Sequence, residues 1–255
     1  IKICIILMMQ LLKKSSQETE DFLLWLRKIM GTYQEQIVFI ICGSIGLEPI
    51  LKRHGLSHTI AHLQTYYLDA WDRKTALRCL DLLAETSGLE WDEQIPEKML
   101  DFLGTFIPHH VQMFFGHLYM DLFKLGRNDP SIQDVIRVYN TSMLSTRGHA
   151  ELADYEERLL RVLAKETIPL ALDLLTEAAV SGVLTNITSH LLTERSGQLD
   201  KDNTLREVMD VLQHDGYLIW DDHKNSWHFS SLLVRDWWEK RFSQSYIALK
   251  KEKIT

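Results

Sequence analysis

The stretch IVFIICGSIG, residues 37–46, decides the fold class of the first part of this chain. Its first five residues are all β-branched or aromatic, which is typical of a strand that is covered on both faces in a parallel sheet. The glycines that follow predict a tight turn from this strand into a helix over 47–54. A buried strand that leads through a short turn into a helix indicates an α/β segment.

The flanking residues continue this alternation of strands and helices. Apolar residues at helical spacing predict a helix over 18–30, and residues 62–68 predict a short strand. The apolar run over 3–12 is too short for a membrane-spanning helix and lacks the small-residue cleavage site of a signal peptide. We therefore favour a strand over 3–7, and we predict part of a parallel α/β sheet over 1–69.

Beyond residue 70 the pattern becomes helical. Apolar residues at three- and four-residue spacing predict a helical subdomain over 70–146, then a domain over 150–245 and a tail over 246–255. In the domain over 150–245, three helices precede two short aromatic strands around a polar turn, which is the pattern of a winged helix. The predicted helices are 72–85, 92–103, 108–125, 131–144, 170–181, 186–194, 204–214 and 232–242, and the strands are 217–220 and 227–230. The chain is therefore predicted to be mainly α, with a partial parallel α/β sheet.

The composition excludes several classes of protein. Lysine and arginine number 28 against 35 aspartates and glutamates, and the net charge of −7 argues against a surface built mainly to hold nucleic acid. Three widely spaced cysteines, Cys4, Cys42 and Cys79, form neither a disulfide framework nor a paired metal motif. We therefore expect a reducing compartment, the cytoplasm, and no membrane partner.

Four segments, in this order, resemble the second half of a P-loop ATPase of the AAA+/STAND group, close to the archaeal and bacterial ATPases with a C-terminal winged helix. The resemblance covers nearly the whole chain and implies part of the AAA+ core, a helical lid over 70–146 and a winged helix over 150–245. The segments are FIICGSIGLEPILKRHGL at 39–56, AHLQTYYLDAWDRKTALRCLDLLAE at 61–85, GTFIPHHVQMFFGHL at 104–118 and DGYLIWDDHKNSWHFSSLLVRDWWEKRF at 215–242.

Two elements of ATPase chemistry are absent from the sequence. No G-x-x-x-x-G-K-[ST] motif occurs to cradle phosphates, and Met8, Met9 and Gln10 stand where the family has acidic residues that hold magnesium. The resemblance implies ATP and Mg²⁺ as cofactors of a full-length protein and none for this chain alone, which is not expected to hydrolyse ATP. Because the chain opens with Ile1 inside an apolar run, we expect the phosphate-binding loop upstream, although the missing acids leave open a local sequence error or a decayed ATPase.

The resemblance also suggests site residues, each with an ordinary structural alternative. Ser44 occupies the position of a sensor that faces the γ-phosphate, or simply belongs to a tight turn. Arg53 occupies the position of an arginine finger, or it simply lies at a solvated helix end, where a positive charge interacts favourably with the helix dipole. Pro108, His109, His110 and Gln112 form the nucleotide-proximal part of the lid, with its Gly-x-Pro element loosened, or they merely begin a helix.

Two further sets of residues are candidate binding groups. Arg206 is the only arginine of the helix that would read DNA, and residues 199–245 contain six basic against nine acidic residues, so we favour a protein-facing role. His54, His58 and His62 recur at four-residue intervals, but Gly55 interrupts their common face. We therefore expect no metal site among these histidines.

The leading hypothesis is the C-terminal part of an AAA+/STAND ATPase, whose lid and winged helix couple nucleotide state to a protein partner or to self-association. The first alternative is a non-catalytic winged-helix adaptor that binds a protein partner or DNA. The second is a degenerate ATPase that depends on another subunit's phosphate-binding loop.

Overall fold

The chain divides into two compact units, Ile1–Tyr67 and Leu68–Thr255. The predicted boundaries between 146 and 150 and at 246 stay predictions. Within the described residues, no helix is long and apolar enough to cross a membrane. The computed structural model describes residues 2–7, 15–42, 51–52, 55–66, 68–145, 150–197 and 200–246.

The first unit contains two parallel strands and the helix that joins them in sequence. Strand β1 (Lys2–Leu7) pairs with β2 (Ile37–Cys42) along its whole length. Helix α1 (Ser16–Thr32) confirms the helix predicted over 18–30. It begins with a capping box, in which Ser15 accepts a hydrogen bond from the Glu18 backbone and the Glu18 side chain accepts one from Ser15. A small core of Leu23, Leu51 and Leu56 holds this unit together.

The strand predicted over 62–68 is wrong. The described residues of this segment form a turn, a bend and irregular backbone, and they pair with no strand. Tyr66 and Leu68 are 84% and 90% exposed, so they lack the buried face that a strand of a covered sheet requires. Their β-forming side chains favoured a strand, but local propensity is overridden where no neighbouring strand satisfies the backbone.

Four helices begin the second unit, and we call them the helical block. Helix α4 confirms the predicted bounds of 108–125, whereas the helix predicted over 131–144 divides into an α-helical and a π-helical part. Leu80, Leu100 and Phe114 are fully buried among them. The elements are α2 (Arg73–Ser87), α3 (Gln94–Leu103), α4 (Pro108–Leu125), α5 (Ile132–Val138) and a π-helical turn (Tyr139–Met143).

The C-terminal block begins with a helix that the sequence reasoning missed. Helix α6 (Ala150–Val162) precedes the three predicted helices, and its buried residues Leu152, Leu159 and Val162 carry a helical spacing that a closer count detects. The other elements are α7 (Ile168–Ser181), α8 (Asn186–Arg195), α9 (Lys201–His214), β3 (Leu218–Asp221), β4 (Ser226–Phe229) and α10 (Leu232–Phe242).

Strands β3 and β4 form an antiparallel hairpin that closes over the helices. Trp220 lies opposite Trp227 with ring centroids 5.1 Å apart, and Leu184 adds an isolated bridge to Trp227. Trp237 and Trp238 of α10 are buried and contact each other's rings, which agrees with the core role expected for most of these aromatics.

Candidate functional site

The candidate site lies at the first turns of α4. A tight turn and an isolated bridge set the position of this helix start. Gly104 has φ +68° and ψ −44°, and Thr105 N donates to Leu103 O at 2.7 Å, which makes a γ-turn. Phe106 then forms an antiparallel bridge with Trp71, whose N–H donates to Phe106 O at 3.0 Å. These contacts fix the direction in which the chain enters α4.

The N-terminus of α4 has no side-chain cap. Ile107 occupies the N-cap position, where it offers no oxygen, and Pro108 occupies the first turn, where its missing N–H costs nothing. The positive end of the helix dipole therefore coincides with free backbone donors, an arrangement that favours an anion. This geometry makes the end of α4 a candidate site for phosphate.

The four predicted lid residues divide by exposure. His109 and Gln112 are exposed and lie three residues apart on one helix face, whereas Pro108 is half-buried. His110 is only 3% exposed and turns into the protein. A ligand at this end of α4 would therefore meet the side chains of His109 and Gln112 and not that of His110.

The environment of His110 makes it a structural residue. Burial, with smaller contributions from His109 and Arg158, lowers the pKa of His110 to about 4, so its imidazole is neutral at pH 7. Its Nδ1 atom is buried and has no hydrogen-bond partner. The ring lies 6.2 Å from that of Tyr155, and the guanidinium of Arg158 lies 5.3 Å above the same tyrosine ring.

Arg73 is a nearby cation that the sequence reasoning missed. Its guanidinium lies 5.8 Å from the Phe106 ring and forms ion pairs with Glu97 and with Asp101, the latter at 2.7 Å. Two carboxylates thus already neutralise its charge, and a phosphate would have to displace at least one of them. Arg73 directly follows the helix cap Asp72, and nothing in the surrounding sequence indicates that it could contact a phosphate.

The other predicted residues do not join this site among the described residues. Ser44 and Arg53 lie outside the described residues, and so does His54. Arg206 is exposed on α9 of the C-terminal block. His58 and His62 are exposed in the first unit, where His58 Nε2 lies 3.4 Å from Glu20 Oε1. No group of three or more histidines, cysteines or carboxylates that could hold a metal ion occurs in the described ranges.

A shallow groove at the end of α2 has the wrong charge for a nucleotide. Its lining includes Leu89, Trp91 and four carboxylates, and these carboxylates would repel phosphate. These carboxylates belong to Asp81, Glu85, Glu90 and Asp92.

Comparisons with known proteins identify a similar fold but no family. No protein-family model matches the chain, and no curated protein matches it. Among solved structures, the chain is similar to the Walker-type ATPase of Pyrococcus abyssi, with a TM-score of 0.56 and 13% sequence identity. The match covers 88% of this chain and 59% of that ATPase, so this chain corresponds to only part of it. The likeness shows a fold of the P-loop ATPase kind and nothing finer.

Proposed function

We propose that this chain is the C-terminal part of an AAA+/STAND-type ATPase, whose lid and winged helix couple nucleotide state to a protein partner. The observation that carries the proposal is the fold shared with the Walker-type ATPase over 88% of this chain. In this proposal, the helical block is the lid, the C-terminal block is the winged helix, and the protein works in the cytoplasm.

The order of elements in the C-terminal block supports the winged-helix part of the proposal. A helix (α7), a single bridging residue (Leu184), two helices (α8 and α9) and a hairpin follow one another, and Leu184 pairs with Trp227 of the hairpin. A winged helix has this arrangement of a helix-turn-helix closed by a small antiparallel sheet.

The first unit supports the proposal of a larger sheet. Parallel strands are ordinarily covered on both faces, yet Val38 and Ile40 of β2 are each 46% exposed on one face. The helices that accompany further strands in an ATPase core would cover such a face, and the same core would supply the phosphate-binding loop. Because the sequence of this chain contains no such loop, we propose that it does not hydrolyse ATP by itself.

The surface of the proposed winged helix favours a protein over DNA as the partner. The exposed positions of α9 carry Lys201 and Arg206 together with Asp202, Glu207 and Asp210, so this helix offers DNA phosphates no excess of positive charge. On α8, Ile187 is 76% exposed and Leu191 is 45% exposed one turn later, which forms an apolar strip suited to a protein contact.

Calorimetric titration with ATP and Mg²⁺ tests the nucleotide part of the proposal. This chain alone should show no binding tighter than about millimolar, and micromolar binding would contradict the proposal that nucleotide binding requires the phosphate-binding loop that this sequence lacks. The protein expressed with the coding sequence upstream of Ile1 should bind MgATP at micromolar concentration. If that longer protein does not bind nucleotide, the proposal fails.

Substitutions in the longer protein test the role of α4. His109→Ala with Gln112→Ala should weaken MgATP binding several-fold, because each removes one hydrogen-bonding group at the proposed phosphate site. The matched control is His190→Ala with Gln213→Ala, which removes the same residue types from exposed positions of the C-terminal block. Equal effects of the two pairs would show that α4 does not face the nucleotide.

A further inference from the structure

The groove at the end of α2 lies where two connections of the helical block meet. Gly88 has φ +69° and ends α2, so that the Leu89 N–H donates to Ala84 O at 3.0 Å. The Glu90 N–H then donates to Asn128 O, 2.9 Å away in the connection between α4 and α5. The groove has a volume of about 780 Å³, which is enough to receive side chains of another molecule.

The four carboxylates of the groove form no ion pair among the described residues. Every other carboxylate of the helical block except Glu93 is paired with an arginine. These pairs join Glu97 and Asp101 to Arg73, Asp129 to Arg127, and Asp121 and Asp134 to Arg137. Uncompensated negative charge is therefore concentrated at the groove, and none of the described residues that line it is basic.

The positions of these carboxylates favour a cationic ligand. Asp81 and Glu85 are exposed and lie four residues apart on α2, a spacing at which like charges repel each other. Glu90 and Asp92 are exposed in the connection to α3, where Asp92 Oδ1 accepts a hydrogen bond of 2.9 Å from Gln94 N. A positively charged group in the groove would relieve this repulsion and be attracted by all four carboxylates.

The groove also contains the first of a row of aromatic rings. Half-buried Trp91 lines it and packs edge-on against Phe115, with ring centroids 6.0 Å apart. Ring contacts continue along α4 from Phe115 to Tyr119 and from Tyr119 to Phe123, each with centroids 6.3 Å apart. Phe123 is 68% exposed, so the row leads from the acidic groove to an apolar position on the surface.

An arginine of this chain already occupies a comparable arrangement. The Arg73 guanidinium lies 5.8 Å from the Phe106 ring and pairs with Glu97 and Asp101. A guanidinium suits such a place because its plane stacks on an aromatic ring while its N–H groups donate to carboxylates. The groove offers the same ring and carboxylate chemistry without an arginine of its own.

We propose that this groove binds a basic, amphipathic segment of a protein partner. An arginine of that segment lies against Trp91 and pairs with the carboxylates, and its apolar side chains pack against Tyr119 and Phe123. Charge complementarity carries this choice of occupant, since the same carboxylates repel nucleic acid and acidic segments. The site goes beyond the proposed function, because it lies on the helical block instead of the proposed winged helix and requires no nucleotide.

Fluorescence anisotropy of a labelled peptide tests the groove in this chain without nucleotide. The probe repeats the sequence RLLR three times, and two comparison peptides carry lysine or glutamate in place of every arginine. We expect the arginine peptide to bind at micromolar concentration, the lysine peptide several-fold more weakly, and the glutamate peptide not at all. Binding of the arginine peptide no tighter than about millimolar would overturn the proposal.

Two pairs of substitutions locate the bound peptide. Asp81→Asn with Glu85→Gln preserves the side-chain shapes and removes two charges, so it should weaken binding about five-fold or more at low salt and less at high salt. The matched control is Asp202→Asn with Glu207→Gln, which removes the same charges from exposed positions of α9. Equal effects of the two pairs would place the peptide outside the groove and overturn the proposal.

A substitution at Trp91 tests the aromatic part of the site. Trp91→Leu keeps an apolar side chain but removes the ring, so the arginine peptide should lose its advantage over the lysine peptide. An unchanged advantage would contradict the contact between the arginine and Trp91.

Sedimentation equilibrium distinguishes a partner protein from a second copy of this chain. The association state of the chain should be the same with and without Asp81→Asn and Glu85→Gln. A dimer that this pair dissociates would mean that a second copy occupies the groove, which would overturn the proposal. Because no test here uses nucleotide, failure at the groove leaves the ATPase proposal standing, and failed nucleotide binding leaves the groove proposal standing.

Discussion

Replacing Gly104 by alanine is expected to destabilise the second unit more than an ordinary glycine substitution does. Gly104 adopts φ +68° in a γ-turn, a conformation that side chains with a Cβ rarely adopt. The added methyl group would also collide with Leu232, whose Cγ, Cδ1 and Cβ atoms lie 2.5, 2.6 and 3.2 Å from the new carbon. Because the first two distances are below 3.0 Å, the half-buried Leu232 side chain would have to shift from its packed position to admit the methyl group.

The expected cost is the sum of these two effects. Forcing a residue with a Cβ into a positive φ costs about 1–2 kcal/mol, and overpacking of this kind costs about 1–3 kcal/mol. We therefore expect Gly104→Ala to lower the free energy of unfolding by about 2–5 kcal/mol. Gly126, at the end of α4, has φ +66° and no atom within 4 Å of an added Cβ. Gly126→Ala is the control for a positive φ without a collision, and in its left-handed conformation alanine should cost about 1–2 kcal/mol.

A double-mutant cycle with Leu232→Ala separates the collision from the backbone strain. Leu232→Ala removes the Cγ and Cδ1 atoms, so the double variant should be more stable than the sum of the two single changes predicts, by about 1–3 kcal/mol. Urea unfolding followed by tryptophan fluorescence measures this, since six of the seven tryptophans belong to the second unit. Additive effects, within about 0.5 kcal/mol, would refute the close contact between Gly104 and Leu232.

Three further predictions concern pH, a helix cap and DNA. The folded-state pKa of His110, about 4, lies below the ordinary 6.5. As the pH falls, the unfolded chain therefore takes up a proton at this histidine before the folded chain does. The free energy of unfolding should then decrease by up to about 3 kcal/mol between pH 6.5 and 4. In urea unfolding measured at each pH, His110→Gln should remove this decrease, whereas His109→Gln at an exposed position should leave it unchanged. An unchanged pH dependence in His110→Gln would contradict the lowered pKa of His110. Ser131→Ala should lower the free energy of unfolding by about 1 kcal/mol, because Ser131 caps α5 and donates to buried Asp134. An unchanged midpoint of thermal unfolding in this variant would contradict the role of Ser131 as a cap. In gel-shift assays at physiological salt the chain should not bind duplex DNA, and salt-dependent binding that Arg206→Ala weakens would favour the DNA-binding alternative.

The sequence predicted the helices well because their signals are local. The bounds of α4 follow from Pro108 at its first position and Gly126 after its last, which are the ordinary start and stop residues of a helix. The hairpin and α10 were also predicted within a residue or two. The apolar spacing of α6 is also present in the sequence, but no capping residue stands directly before Ala150 to mark the start of the helix.

Elements that depend on distant partners were predicted less well. The segment over 62–68 has the residue types of a strand, yet a strand requires a neighbour that the local sequence does not reveal. At the candidate site, the sequence placed His109, His110 and Gln112 on one helix, but it did not predict which of them is exposed. Nor did it indicate that Arg73 is held by Glu97 and Asp101, because these residues are 24 and 28 positions away.

The sequence by itself determined most of the helices, the hairpin, the acidic charge and the absence of a phosphate-binding motif, since these are properties of neighbouring residues and of composition. Only the tertiary structure decided that His110 is buried and that Gly104 lies against Leu232. It likewise decided that Tyr139 is held by Asp236, 97 positions later. The physical reason is that burial and contact depend on how helices pack across long separations in the chain, and helical periodicity specifies a face without specifying what covers it.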